Sequence, residues 1–400
     1  MSLPISELAE DQRLRAGRLL EHLDQRRLSG VVLFDRSYIL YYTGFAFIPT
    51  ERPIAFVMNS QGHRALFVPQ LEREHARANA QVDQVSTYPE YPHDPHPMQH
   101  LSHLLREMGM LESGAMIGAD NDGYPWIFGY RGVPLSEMTG QDIRNVRAFI
   151  EDQMMIKSPV EIAFIREACR WGDVAHRLLQ DYTAVGVTET EVSERASRDA
   201  TRSLLESLGS EYRSASEYYY GATAGYRGQI GRNAAIPHAL ANNITFEPGD
   251  TLVTGAASSV WGYNSELERT MFVGEPNDAQ RHFFDHMLAL QTLAIEALAP
   301  GRACGEIDLI VRAYYEQHDL MDYWKHHVGH AIGLRYHEAP FLDLGDATVI
   351  QPGMVFTVEP GLYVPSLGGF RHSDTILVTE SGAEFLTDYP RDRESLIIPL

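Results

Sequence analysis

Residues 6–29 place leucines at 8, 14, 20, 23 and 28 among charged residues, with Gly30 following. That stripe predicts an amphipathic helix closed by a glycine stop. Val31-Val-Leu-Phe34 and Ile54-Ala-Phe-Val-Met58 are short apolar runs between polar or turn residues, and they predict strands. Four prolines between Tyr88 and Pro97 predict a loop. Helices are expected over 98–109 and 140–154. Strand and helix signals alternate up to this point, which predicts a small α/β domain over residues 1–155.

A break follows at Lys157-Ser158-Pro159-Val160-Glu161. Ser158 suits a helix N-cap, Pro159 the first helical position, and Glu161 the acid of a capping box. Thr188 and Glu191 repeat the pattern ahead of a helix reaching Leu208, and Gly209 stops it. Further helices are expected near 278–298 and 305–318, then a glycine- and histidine-rich region of strands. Residues 156–400 therefore read as a second, larger domain, with no repeats and no low-complexity tail.

Composition narrows the partners. A chain of 400 residues with 44% apolar residues fills two cores, but its net charge is −21. That excess of acid opposes nucleic acid or an anionic membrane surface as partner. Cys169 and Cys304 form no CxxC pair, and Cys169 falls in a helical run, as a buried inert thiol would. The first residues lack the basic flank and apolar core of a secretory signal. No run approaches the roughly 18 apolar residues of a membrane span. The expected location is cytoplasmic.

Chemistry is concentrated between His238 and Asp374. Glu266 and Glu268 lie two apart, so an extended backbone points both carboxylates to one face. His330 sits in Val328-Gly-His-Ala-Ile-Gly333, with His337 and Glu338 beyond. Glu359 opens Glu-Pro-Gly-Leu-Tyr363, which leads to Arg371-His372-Ser373-Asp374. Taken singly, each has a plain structural reading. His238 suits a hydrogen-bonded structural histidine, and Glu266 and Glu268 a solvated face with Arg269 as surface partner. His326 and His327 suit a hinge or the surface, and Ser366–Gly369 a hairpin turn.

Together, in this order and spacing, the motifs resemble the creatinase, prolidase, aminopeptidase P and methionine aminopeptidase family over about residues 155–390. Tyr41-Tyr-Thr-Gly-Phe45 resembles the signature of that family's smaller domain. The resemblance implies an α/β (α+β) fold with a C-terminal pita-bread domain. It also implies a homodimer. Peptidase members of the family hold two metal ions with two Asp, one His and two Glu. Those positions fall here on Gly255, Glu266, His330, Glu359 and Ser373, so the first and last ligands are missing. The expectation is therefore a site without metal and without any other cofactor.

Leu267-Glu268-Arg269-Thr270, His238 and Glu359-Pro-Gly-Leu-Tyr-Val-Pro365 are similar to creatinase, a metal-free member. By that resemblance His238, Glu268 and Glu359 are acid–base candidates, joined by Glu266 and His330. An amidinium carbon is already electrophilic, and carboxylates hold its charge, so such chemistry needs no Lewis acid. Length and acidity resemble the ectoine hydrolase branch. The expected reaction is hydrolytic ring opening of ectoine or hydroxyectoine, giving N-acetyl-diaminobutyrate in compatible-solute catabolism. Gly255, Tyr263, His337 and Arg371 are the expected substrate contacts, with His372 a second basic candidate. Arg52 is expected to reach in from a partner subunit. Gly255 itself reads two ways, as space for substrate or as the loss of a catalytic carboxylate. The alternatives are a creatinase-like amidinohydrolase, a metal-dependent Xaa-Pro peptidase, a dimethylsulfoniopropionate lyase, and a non-catalytic binding module.

Overall fold

The computed structural model describes residues 3–216 and 220–400, and the chain divides into compact units at Pro4–Met154 and Met155–Leu400. In the first unit, helix Ile5–Arg26 buries Ala16, Leu19 and Leu23, while Leu14 faces solvent. Its Arg15 is buried, donates to the Tyr41 carbonyl at 3.0 Å and pairs with Asp11. Asp35 caps helix Arg36–Thr43 with its carboxylate, and Gly44 at φ 72° ends it. Six strands form the sheet, in the order Gln84–Tyr88, Arg64–Pro69, Ala55–Asn59, Gly30–Leu33, Met116–Ala119 and Asp142–Asn145.

One element departs from the expected pattern. Residues 140–146 are not helical. Gly140 at φ 66° closes the short helix Leu135–Thr139, and Asp142–Asn145 then pairs parallel to Met116–Ala119 at the sheet edge. The helix starts only at Arg147 and runs to Met155. An edge strand with mostly exposed residues has little apolar periodicity, so the sheet neighbour decides its conformation.

The second unit begins with helix Pro159–Tyr182. Ser158 accepts from the Glu161 N–H and Glu161 returns a bond to the Ser158 N–H, which closes the capping box. Thr188 caps helix Glu189–Leu208 by accepting from the Glu191 N–H. These two helices pack on strands Ala222–Gly225 and Gly255–Val260. A five-stranded sheet runs Glu338–Leu342, Gly329–Ala331, Val355–Val358, Asp374–Thr379 and Gly382–Phe385.

The segment from Glu266 to Arg269 ties the sheets together. Leu267 bridges to Ala256 on one side and Glu268 to Ser373 on the other. Arg269, expected as a surface partner, is instead fully buried. It binds Asp374 at 2.8 Å and donates to the carbonyls of Glu268, Ser373, Tyr389 and Pro390. Five donors in a rigid fork suit that clamp. Among the described residues, no helix is long and apolar enough to cross a membrane.

Candidate active site

The clamp at Arg269 fixes where its neighbours point. Glu266 and Glu268 both reach a cavity of about 260 Å³, joined by His238, His337, Glu359 and Arg371 from other segments. That is smaller than the roughly 300–1,000 Å³ of pockets for drug-sized ligands, so it suits a small substrate.

Three donors converge on its floor. Ligand atoms of Glu266, His330 and Glu359 all lie within 4.8 Å of one another. Ser373 donates to Glu266 Oε1 at 2.6 Å, while Thr375 Oγ1 accepts from the Glu266 backbone N–H at 3.0 Å and donates to the Glu266 carbonyl at 2.8 Å. His330 Nδ1 donates to the Ala331 carbonyl at 2.9 Å, which aims Nε2 at Glu359 Oε1, 3.4 Å away. Nε2 is buried and makes no aligned hydrogen bond. An imidazole oriented through its second nitrogen, with the other facing two carboxylates, is the arrangement of a metal-binding histidine.

Electrostatics agree. Burial, with Glu359 and Glu268 close by, pushes the Glu266 carboxyl up to about 7. Burial alone would lower His330, but the carboxylates of Glu359 and Glu266 outweigh it and hold the imidazole up to about 9. Burial alone would raise Glu359, yet His330 and then Arg371 keep it well below the usual carboxylate range. The floor is a concentrated negative site compensated by protons and a guanidinium.

These donors fit one divalent cation. They do not fit two. Gly255 brings no ligand, and the Ser373 hydroxyl is spent on Glu266, so two of the five positions that the resemblance implies carry no carboxylate. A pair of dications needs more anionic ligands than Glu266 and Glu359 supply.

Glu268 has a different setting. Arg371 grips both its oxygens, with Nη2 2.8 Å from Oε1, and Arg227 Nη2 adds a third contact at 2.9 Å. Arg371 Nη1 donates to the Tyr363 hydroxyl at 2.8 Å, and that oxygen lies 2.7 Å from His326 Nε2. His326 Nδ1 donates to the His327 carbonyl, so Nε2 must accept, and Tyr363 passes its proton's bond onward. Burial lowers His326 and pushes the Tyr363 phenol up to about 12, which keeps both neutral. His337 stacks on His330 at 4.0 Å; burial and then the His330 charge lower it to about 4.

Other expected contacts lie elsewhere. Tyr263 does not line the cavity; its ring stacks on Phe164 and its hydroxyl donates to Glu161 at 3.1 Å. His372 also turns away, accepting from the Thr270 N–H and facing the Arg391 carbonyl. Arg52, in the N-terminal unit, pairs with Glu90 and Glu51. His238 lines the cavity from an exposed loop position. Sequence reasoning missed Arg227 and Lys325 in the lining, and it set His326 and His327 aside. Arg227 carries no motif. The adjacent histidines carried a signal, since neither burial nor charge periodicity explains a His-His pair beside His330.

Fold and site together define a protein with a small α/β domain ahead of a larger α+β domain bearing a carboxylate–histidine centre. Residues 163–380 match metallopeptidase family M24 and residues 15–128 match the creatinase/prolidase N-terminal domain. The chain belongs to metallopeptidase family M24 and has its pita-bread fold. It is 27% identical over 383 residues to an Xaa-Pro dipeptidase of Pyrococcus furiosus, covering 94% of this chain and 99% of that protein. The crystal structure of a prolidase from Pyrococcus horikoshii superposes with a TM-score of 0.78 at 27% identity, over 95% of this chain and 99% of that one. The N-terminal domain of the chickpea FACT subunit SPT16 has a TM-score of 0.74 at 14% identity, covering 99% of this chain and 100% of that one, which shows the fold alone.

These relatives correct the substrate expectation. The two Pyrococcus relatives are named Xaa-Pro dipeptidase and the Pyrococcus furiosus structure a prolidase, in a family described as metallopeptidases. Ectoine or hydroxyectoine ring opening, an enzyme for C–N bonds other than peptide bonds, and metal-independent chemistry are all overturned. The reason is in the residues. Missing ligands at Gly255 and Ser373 pointed away from peptidases, but Glu266, His330 and Glu359 still form a cation-sized group.

Proposed function

We propose that the protein is a metal-dependent dipeptidase that cleaves the bond before a C-terminal proline, using one divalent cation held by Glu266, His330 and Glu359. The observation that carries this is the convergence of those three donors in a chain that matches Xaa-Pro dipeptidases nearly end to end. The cation, when bound, supplies Lewis-acid polarisation of the scissile carbonyl and a more acidic water.

The remaining work falls to side chains. The cavity, at about 260 Å³, suits a small substrate. Its lining includes Pro237, Tyr336, His337 and His326, ring side chains of a size to pack against a pyrrolidine. His238, at the cavity edge, carries a proton to the departing nitrogen, a role that imidazole fills near neutral pH. Glu268 positions Arg371 and Arg227, since both its oxygens are engaged by guanidinium groups. The acidic net charge keeps nucleic acid and anionic membranes outside this reading.

The test is incubation of the full chain, loaded with manganese or cobalt, with Ala-Pro, Met-Pro and Ala-Ala, followed by mass spectrometry of products. Cleavage of the proline dipeptides, lost on chelation and restored by metal, is expected. Intact dipeptides in the loaded protein would overturn the proposal.

A further inference from the structure

Glu189 opens helix Glu189–Leu208, yet its side chain takes no part in the cap, which Thr188 provides. The residue is turned inward and only 1% exposed. Oε2 accepts from the Gly228 N–H at 2.7 Å, and Oε1 accepts from the N–H groups of Asn242 and Ile244 at 2.8 and 3.2 Å. Bonds from backbone N–H groups to a carboxylate are strong, and burial makes each costly to lose.

Those three donors belong to two segments that reach the cavity. Gly228 directly follows Arg227, and residues 236–244 carry Pro237 and His238. Arg227 at φ 51° and Gly228 at φ 74° are successive left-handed residues, and an arginine keeps that conformation only where its surroundings fix it. A Cβ on Gly228 would stand 2.1 Å from the Leu240 carbonyl oxygen, so the turn and the second segment are pressed together. Residues 236–244 form neither strand nor helix. Their upstream end has local turns and a long bond, from Gln229 Nε2 to the Ile236 carbonyl at 3.4 Å. Their downstream end is held by Glu189, whose own N–H also donates to the Ile244 carbonyl at 2.8 Å.

We infer that Glu189 is a positioning residue: its carboxylate fastens the Arg227 turn and residues 236–244 to each other, and so sets His238 and Arg227 at the cavity edge. The inference rests on the proposed function for the part that His238 plays in the reaction. Glu266, His330 and Glu359 stand on other segments, so Glu189 acts on proton transfer and not on the cation donors.

Rates with Ala-Pro on the manganese-loaded full chain test it. Glu189→Ala should lower kcat about 10–100-fold, the scale of a small misplacement, while KM changes less than about threefold. Glu189→Gln keeps one acceptor oxygen and loses the bond to Gly228; it guards against misfolding and should still lower kcat at least about threefold. In a His238→Ala background either change should cost almost nothing more, because the group that it places is gone. An unchanged kcat in a folded variant overturns the inference, as do losses that multiply with that of His238→Ala. Manganese retention should match wild type; metal lost in proportion to rate would overturn it too. Amide exchange read by mass spectrometry needs no turnover. Residues 226–229 and 236–244 should exchange at least about tenfold faster in Glu189→Ala, and faster in Glu189→Gln, with the rest of the chain unchanged. A wild type that cleaves no dipeptide removes the dipeptidase reading, and exchange then decides the inference alone: unchanged exchange overturns it.

Discussion

Arg371 holds both carboxylate oxygens of Glu268, and the same guanidinium reaches the Tyr363 hydroxyl at 2.8 Å. The pair is nearly inaccessible, at 4% and 5% side-chain exposure, so neither charge has water to fall back on. Arg371 Nε also lies 3.8 Å from Glu359 Oε2. One fixed cation thus serves two carboxylates at the cavity floor and, through Tyr363, orders His326.

Removing one partner of such a pair leaves the other buried and uncompensated, at a cost of roughly 3–5 kcal/mol. Glu268→Ala should cost about 2–4 kcal/mol, because Glu359 remains 3.8 Å from Arg371 and partly compensates its charge. Glu268→Ala with Arg371→Met should be less destabilised than the two single changes added together. Urea denaturation of all three checks it; strict additivity would show that the pair is not coupled.

Metal stoichiometry separates a one-ion floor from a two-ion floor. Manganese-loaded wild type should retain one equivalent per chain after desalting, by elemental analysis. His330→Ala should retain much less, since it removes the only nitrogen among the three donors. The double change Gly255→Asp with Ser373→Glu should raise retention toward two. Two equivalents in wild type would show that Gly255 and Ser373 leave no gap.

Tyr263 offers a control on the cavity's boundary. Its hydroxyl donates to the buried Glu161, which also closes the capping box of helix Pro159–Tyr182. Tyr263→Phe should cost about 1 kcal/mol, or some 2–4 °C in melting temperature, and leave KM for a dipeptide unchanged. A raised KM with an unchanged melting temperature would return Tyr263 to the substrate contacts.

Much of the fold was legible because its signals are local. Ser158, Pro159 and Glu161 mark a helix start within four residues, and the cap is present. The positions of Glu266, His330 and Glu359 are legible through spacing, although the sequence alone marks them as acid–base groups and not as ligands. Arg227 was not, because it reaches the floor only through the pairing of Ala222–Gly225 with Gly255–Val260. The link from Tyr363 to His326 spans 37 residues and depends on a hydroxyl that no pattern distinguishes. Substrate was the least legible of all. It was inferred from two absent ligands, whereas likeness over the whole chain follows the dipeptidases.

Asp173 predicts a pH dependence away from the cavity. It is buried, Oδ2 accepts from the Asp388 N–H at 2.9 Å, and Oδ1 has no hydrogen-bond partner. Burial pushes its carboxyl up to about 7, above the ordinary value of 3.8. A folded-state pKa raised in this way favours folding below the ordinary value, and that contribution is lost as pH rises through about 7. Asp173→Asn keeps an acceptor for the Asp388 N–H and has no charge to bury. Relative to wild type, it should gain about 1–2 kcal/mol between pH 4 and pH 8, which is part of the roughly 1.4 kcal/mol per pK unit that a full shift would give. Melting temperatures of both proteins across that range check the sign. A difference that stays constant, or that shrinks toward pH 8, would mean that the carboxylate at 173 is ionised without penalty in the folded chain.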